Sequence, residues 1–155
     1  MQARYKWEEV TLDTGFSIAL HLLILISESE TPLSSAAMAA SVGTNPSFVR
    51  KILGALKRAG LITSRRGAAG FALVRPAADV TLLQVYKAVY GKGEVEIFPM
   101  HGNPNDECLV GRYIHPTLGE VFGAIRAEAE RKMAATTVAD CIADMRNRAK
   151  TDGAI

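Results

Sequence analysis

The apolar positions of this chain fall into a series of helix-length segments. Residues 16–26 are apolar almost throughout, which predicts a buried central helix capped by Asp13 or Thr14 and ending near Ser27. This run of 11 residues is too short to cross a bilayer, and it lacks the basic start of a signal peptide. His21 lies within it and is expected to be a core or boundary histidine rather than a ligand.

The next two predicted helices are separated by a glycine turn. The second helix runs from about residue 33 to Gly43, and the third begins at Pro46 after an Asn45 N-cap. Ala39 lies four residues before the turn glycine, where two closely crossing helices have room only for a small side chain. This spacing favours a helix-turn-helix over an ordinary helical hairpin.

The third helix is strongly two-sided and ends at Gly60. Its apolar stripe consists of Phe48, Val49, Ile52, Leu53 and Leu56, and its opposite face of Ser47, Arg50, Lys51, Gly54 and Arg58. Beyond it, the strand-like runs 61–64 and 71–74 flank a stretch with two glycines, which is typical of a β-hairpin. These segments follow one another in the order of a winged helix-turn-helix.

The C-terminal half is predicted to be helical apart from one long loop. A helix capped by Thr81 reaches about Tyr90, and glycines and prolines punctuate a loop over residues 91–107. A long helix then begins between residues 109 and 117, with Pro116 either starting or kinking it, and continues to Ala134.

A final short helix follows the capping pattern Thr137-x-x-Asp140. Its predicted buried residues are Val138, Cys141, Ile142 and Met145. The predicted fold class is therefore mainly α, a winged helix-turn-helix with a small two-stranded β-wing and a long C-terminal helix for dimerisation.

Charge is distributed very unevenly along the chain. Residues 31–78 contain seven basic and no acidic residues, a net charge of +7, whereas the remaining 11 basic and 16 acidic residues give −5. The overall charge of +2 conceals this polarity. Because the cationic segment coincides with the predicted winged helix-turn-helix, double-stranded DNA is the expected partner.

The residues expected to contact DNA lie on the third helix and on the hairpin. The N-terminal part of a recognition helix faces base edges in the major groove, so the candidates for base readout are Asn45, Ser47, Arg50 and Lys51. The candidates for phosphate contact further along the helix are Lys57 and Arg58. The hairpin candidates for the minor groove or the backbone are Arg65 and Arg66.

An ordered series of motifs in this chain resembles a known family. The motifs are N-P-x-x-V-R-x-I at 45–52, K-x-A-G-L-I at 57–62, R-x-G at 65–67, R-P-A-x-D-V-T-L at 75–82 and a late A-D pair. Over about residues 12–145 the chain resembles the Rrf2 family of bacterial winged-helix transcription regulators, which includes the iron–sulfur cluster regulator and the cysteine metabolism repressor. The resemblance implies a homodimer, joined through the long helix, that binds pseudo-palindromic operators and usually represses transcription.

The cysteines depart from the pattern of the cluster-binding relatives. Those relatives carry three closely spaced cysteines before the dimerisation helix, whereas segment 98–114 contains only Cys108 and resembles a single-cysteine subgroup. Because iron–sulfur clusters normally take thiolate ligands, no cluster, metal or other cofactor is expected, and His101 and His115 are not expected to substitute. Two cysteines 33 residues apart form no disulfide framework and favour a cytoplasmic location.

Cys108 is the candidate sensor residue. A helix start favours its thiolate, Asp106 and Glu107 disfavour it, and Arg112 can offset them, so the direction of its pKa shift stays open. A structural role is the alternative, and Cys141 is expected to be inert. Because the preceding loop and Cys108 lie at the root of the predicted dimerisation helix, an oxidant or small molecule is expected to act there on the spacing of two recognition helices.

The long helix is expected to join two copies of the chain. Its candidate contact residues are Leu118, Val121, Phe122, Ile125 and Ala129. The same residues could complete the chain's own core, which is the ordinary role of an amphipathic helix. Dimerisation is favoured because the winged-helix body is largely complete by Val89 and palindromic readout needs two copies.

The function that these patterns indicate is a non-enzymatic, sequence-specific DNA-binding transcription regulator, expected to be a repressor. The expected organisation is an N-terminal arm (1–11), a DNA-binding domain (12–90), an effector loop (91–108) and dimerisation helices (109–150). Two alternatives stay open. A thiol enzyme using Cys108 with His101 or His115 would need a base within hydrogen-bond reach and an oxyanion site. A winged helix can also bind protein or RNA.

Overall fold

The computed structural model describes residues 13–65, 70–91 and 93–155. In these ranges the helices are α1 (Gly15–Glu28), α2 (Ser35–Val42), α3 (Pro46–Arg58), α4 (Leu82–Tyr90), α5 (Leu109–Ala135) and α6 (Val138–Thr151). The strands are β1 (Ile62–Ser64) and β2 (Phe71–Leu73), and a 3-10 helix, Ala77–Asp79, follows them. The predicted mainly α winged helix-turn-helix is confirmed. The predicted N-terminal arm and Arg66 lie outside the described residues.

Helix α1 is the centre of the hydrophobic core. Leu22 and Leu23 have no exposed surface and pack in one cluster with buried residues of α2, α3, α4 and α6. Of the two predicted caps, Asp13 is the one whose side chain binds the start of α1, because its Oδ1 accepts a hydrogen bond of 2.8 Å from the Gly15 N–H. The Thr14 side chain makes no cap hydrogen bond. His21 is half-buried with its Nε2 3.3 Å from the Ser41 hydroxyl, which confirms a boundary histidine.

Local signals shape the turn between α2 and α3. Gly43 has a φ of +78°, and the N–H groups of Gly43 and Thr44 both donate to the carbonyl of Ala39, which terminates α2. Ala39 is buried at the helix crossing, as the spacing predicted. Helix α2 begins two residues later than expected because the Ser34 hydroxyl, rather than an earlier residue, accepts from the N–H of Ala37.

The wing is a short antiparallel hairpin. Ile62 pairs with Leu73 and Ser64 with Phe71, and the Arg65 N–H donates to the Gly70 carbonyl at 3.1 Å. Gly70 has a φ of +105° and passes so close to the start of α2 that an added Cβ would lie 2.7 Å from the Cβ of Pro32. This close approach fixes the wing against the helix-turn-helix.

Backbone pairing joins the C-terminal helices to the winged-helix body. The Leu82 N–H donates to the Thr136 carbonyl and the Val138 N–H to the Val80 carbonyl, each at 2.9 Å. These bonds hold the α5–α6 junction beside the start of α4. Capping boxes at Thr81 and at Thr137 start the two helices that leave this junction, and both were predicted caps.

Helix α6 covers the body through its first turns only. Val138 and Ile142 are buried, but Met145 is 41% exposed, so the prediction that Met145 is buried was wrong. At this point α6 reaches the end of α1 through an ion pair between Arg146 and Glu28, at 2.8 Å, instead of an apolar contact.

Residues 93–107, here called the strap, run back along α5 in the opposite direction. The Val95 N–H donates to Glu130, Phe98 packs on Phe122 with tilted rings whose centroids lie 5.3 Å apart, and the His101 carbonyl lies 2.8 Å from His115 Nε2. The strap therefore ends at the N-terminus of α5.

The two ends of α5 differ in how they are attached to the winged-helix body. Helix α5 has 27 residues and a length of about 40 Å, and its C-terminal end is the one paired with the body. Cys108 is the N-cap of α5, which confirms its expected place at the start of this helix, but that start is the end remote from the body. Pro116 lies inside α5 rather than at its start.

No helix among the described residues has the length and apolarity of a membrane span.

Replacement of Gly70 by alanine tests the contact between the wing and α2. Both Gly70→Ala and Gly43→Ala place a side chain in the left-handed region, at about 1–2 kcal/mol each. Only the alanine at position 70 also meets Pro32. We therefore expect Gly70→Ala to lower the free energy of unfolding by about 1 kcal/mol more than Gly43→Ala does, as measured by urea denaturation. Equal losses for the two variants would show that the wing does not press on Pro32.

Candidate nucleic-acid interface

The outer face of α3 is cationic and open to solvent. The predicted site residues on this helix are all exposed, namely Ser47, Arg50, Lys51, Lys57 and Arg58, and Asn45 is exposed at its N-cap. In the described part of the chain, none of the cations on this face of α3 forms an ion pair with a carboxylate. Mutual repulsion of these charges is therefore relieved only by solvent, by salt or by an anionic partner.

The start of α3 is held by Asn45 and Pro46. The Asn45 Oδ1 accepts from the Phe48 N–H at 2.8 Å, so its carbonyl oxygen caps the helix, and Pro46 occupies the first helical position. Sequence reasoning treated Asn45 both as cap and as base reader. The observed geometry commits the oxygen to the cap and leaves the amide nitrogen for other contacts.

Arg50 and Lys57 lie at the edge of the exposed face of α3, beside neighbouring elements. Arg50 Nη1 lies 3.5 Å from the Ser35 hydroxyl at the start of α2, and Lys57 Nζ lies 2.8 Å from the Ser64 hydroxyl on β1. They flank a groove of about 490 Å³ between α2, α3 and the wing, whose lining includes Ser34 and Gly54. The structure thus brings Arg50 and Lys57, seven residues apart, to one edge of α3.

The wing carries a second pair of exposed arginines. Arg65 follows β1 and Arg75 follows β2, and both line a groove of about 470 Å³ beside the end of α1. Arg65 was a predicted site residue, whereas Arg75 was counted in the acid-free segment but not assigned to the site. Only the charge pattern of the sequence could have indicated Arg75 as a site residue, because Arg75 lies outside both the recognition helix and the hairpin tip.

Known proteins with similar sequences are transcription regulators. Residues 12–144 match the model of the Rrf2 family, which is described as an iron-dependent transcriptional regulator. The chain belongs to the Rrf2 family. YwnA of Bacillus subtilis, named as an HTH-type transcriptional regulator, is 39% identical over 129 residues, which make up 83% of this chain and 95% of YwnA.

Solved structures share the fold of this Rrf2 protein. A crystal structure described as a DNA-binding protein is 34% identical with a TM-score of 0.65, and the match covers 83% of this chain and 98% of that one. A transcriptional regulator from Lactobacillus plantarum is 25% identical with a TM-score of 0.69, over 88% and 92% of the two chains. CymR, the global cysteine regulator of B. subtilis, has a TM-score of 0.63 at 20% identity, over 87% and 98%, which shows the common fold.

The family's description names iron dependence, and iron in proteins takes Cys, His or carboxylate ligands. In the described ranges, no three His, Cys, Asp or Glu side chains lie close enough together to hold a metal ion. Cys108 is the one cysteine near the strap, and His101 and His115 pack on each other with ring centroids 5.2 Å apart.

Cys108 is exposed at the N-cap position of α5. Its sulfur makes no cap hydrogen bond, but the N–H groups of Gly111 and Val110 favour the thiolate and lower the pKa of Cys108. Burial, with smaller contributions from Asp140 and Asp144, raises the pKa of Cys141. The direction that sequence reasoning left open for Cys108 is thus downward, because its thiolate sits at a helix start.

Helix α5 has no buried residue. Among the predicted contact residues, Val121 and Ile125 are 51% and 41% exposed, while Leu118, Phe122 and Ala129 are half-buried. Phe122 packs on the strap within the same protomer. Exposed apolar residues also occur at the N-terminal end of α5, where Leu109 and Val110 are 75% and 67% exposed.

Alkylation of the two thiols tests their opposite pKa shifts. Because the thiolate is the nucleophile, the rate for Cys108 should reach its plateau at a lower pH than that of an ordinary cysteine, and the rate for Cys141 at a higher pH. Iodoacetamide labelling across a pH series, followed by peptide mass spectrometry, measures both profiles in one sample. The assigned shift of Cys108 would be wrong if the two profiles coincided.

Proposed function

We propose that this Rrf2 regulator binds double-stranded DNA as a homodimer at pseudo-palindromic operators and acts as a repressor. The observation that carries the proposal is the outer face of α3, where exposed cations lie in a segment of 48 residues without one carboxylate. A surface that merely needs hydration gains nothing from the absence of acidic residues, whereas a phosphate-binding surface does.

The arrangement of α3 and the wing suits two adjacent grooves. The N-terminal half of a recognition helix reads the major groove, and a wing beside it can contact the flanking minor groove or backbone. Lys51 and Ser47 belong to that half of α3, and Arg65 projects from the wing. Similarity to a crystal structure described as a DNA-binding protein supports the same partner.

Helix α5 supports the proposal of a dimer. A helix of 27 residues that buries none of them in its own protomer leaves its apolar positions for another surface. Val121 and Ile125 lie four residues apart on one side of α5, and a second copy would cover them. Two copies would present two recognition helices to a two-fold symmetric operator.

The strap and Cys108 are the proposed place of regulation. One end of α5 is paired with the winged-helix body, and the strap contacts the other end, near Cys108, through His101 and His115. An oxidant or small molecule that alters the strap would shift α5 relative to the body and change the spacing of the two α3 helices.

Charge reversal tests the DNA contact. In fluorescence anisotropy with duplex DNA from the upstream region of the chain's own gene, Arg50→Glu with Lys51→Glu should weaken binding by about a hundredfold or more, because attraction to phosphate becomes repulsion. Lys87→Glu, at an exposed lysine of α4 outside the acid-free segment, is the control and should have little effect.

The salt dependence completes this test. With about six to eight phosphate contacts per dimer, the affinity should fall about a thousandfold or more between 50 and 200 mM salt. Retention of DNA by the charge-reversed protein, or an affinity insensitive to salt, would contradict the proposed function.

Disruption of the α5 surface tests the dimer. Val121→Glu with Ile125→Glu should yield monomers at micromolar concentration in sedimentation velocity, because charges would be buried in the contact. Ala127→Glu is the matched control, since Ala127 is exposed about 200° around the helix from Ile125. A monomeric wild type, or equal effects of both changes, would count against this surface.

A further inference from the structure

The exposed face of α3 is divided into two strips that meet different surroundings. The first strip, called the edge strip, consists of Arg50 and Lys57, which border the groove shared with α2 and the wing. The second, called the central strip, consists of Ser47, Lys51 and Arg58, which fall together on the opposite side of Gly54 at about 100° per residue. The sequence separated base-reading from phosphate candidates only by their distance along the helix, with Arg50 in the first group and Lys57 and Arg58 in the second.

Each cation of the edge strip lies beside a hydroxyl group of a neighbouring element, at 3.5 Å for Arg50 and 2.8 Å for Lys57. The Ser35 hydroxyl lies on α2 and the Ser64 hydroxyl on β1, so each cation contacts a different neighbouring element. Arg, Lys and Ser side chains are among the common donors to phosphate oxygens in protein–DNA complexes. Base edges, by contrast, lie in front of the helix, where the central strip projects.

Gly54 lies between Arg50 and Lys57 and lines the same groove. An added Cβ there would approach nothing closer than the Arg58 Nη1, at 3.4 Å, which is the flexible end of a side chain. The protein's own packing therefore has room for alanine, although glycine weakens a helix. The absence of a side chain leaves the groove open to something that is not part of this chain.

We propose that Arg50 and Lys57 bind backbone phosphates of one DNA strand in this groove, and that Ser47 and Lys51 read the bases. The inference rests on the proposed DNA-binding function and deepens it, because it separates residues that position the duplex from residues that specify its sequence. It also replaces the expectation that Arg50 reads bases. Arg50 lies early in α3, but its guanidinium is turned towards α2.

The test compares affinity with base preference for single alanine variants. Wild-type protein first selects its preferred site from a pool of randomised duplexes, and each variant is then measured on that site and on all its single-base changes. Arg50→Ala and Lys57→Ala should weaken binding to every duplex by a similar factor, and each should reduce the salt slope by about two per dimer, one phosphate for each protomer.

Lys51→Ala should act differently. The affinity lost by this variant should depend on the sequence of the duplex. Discrimination at one base pair of each half-site should fall by about tenfold or more, while discrimination at the other base pairs should not change. Lys87→Ala is the matched control for removal of an exposed lysine elsewhere. Far-ultraviolet circular dichroism checks that each variant retains its helices.

Two further variants sharpen the assignment. Arg50→Lys should keep most of the affinity, because a phosphate contact needs the charge but not the planar guanidinium fork. Gly54→Ala should leave the helical signal and melting temperature equal or higher, yet weaken DNA binding by about tenfold, because its methyl group narrows the groove.

The outcomes separate this inference from the proposed function. A change of base preference in Arg50→Ala would overturn the assignment of Arg50 to phosphate while DNA binding itself stands. Unchanged affinity in both Gly54→Ala and Lys57→Ala would show that no phosphate enters the groove. A wild-type chain that enriches no duplex and binds none at low salt would instead refute the proposed function.

Discussion

Burial of the apolar stripe of α3 against α1 is the contact on which the rest of this protein depends. Val49 and Leu56 have no exposed surface, and Leu22 and Leu23 of α1 belong to the same cluster, so α3 can present only one face to solvent. Full burial of such side chains contributes about 1.5–3 kcal/mol each. That contribution offsets the repulsion among the cations of the opposite face, which no carboxylate of the described segment relieves. Stability and a cationic surface therefore come from two sides of one helix.

The second half of the chain depends on a different interaction, the backbone pairing of Val80 and Leu82 with Val138 and Thr136. It gives α5 one attached end and one remote end, because the intervening helix is about 40 Å long. The strap follows α5 along this length, held by Glu130, Phe122 and His115. The Cys108 thiol at the remote end is separated from the recognition helix of its own protomer by the full helix, so regulation from Cys108 would have to travel through α5 and the strap.

The elements with local signals were predictable, and those that depend on distant partners were not. Asn45, Thr81 and Thr137 were identified as caps because a cap needs only its own helix, and Gly43 and Gly60 because a left-handed residue ends a helix. Met145 has the spacing of a buried residue, yet α6 extends past the body before reaching it. The strap has no periodicity to predict its course, because its contacts are with residues 14–35 positions away.

By itself, the sequence determined the helix-turn-helix, the wing, the acid-free segment and the family, since caps, glycines, periodicity and charge are all properties of neighbouring residues. Only the tertiary structure decided where side chains of equal charge point. Arg50 and Lys51 are adjacent in the chain, but a serine on α2 contacts Arg50 and leaves Lys51 on the outer face. The tertiary structure also decided that Cys108 lies at the end of α5 that is remote from the winged-helix body. Both outcomes depend on elements remote in sequence, because the direction of a side chain and the end of a helix that is attached are set by packing between elements.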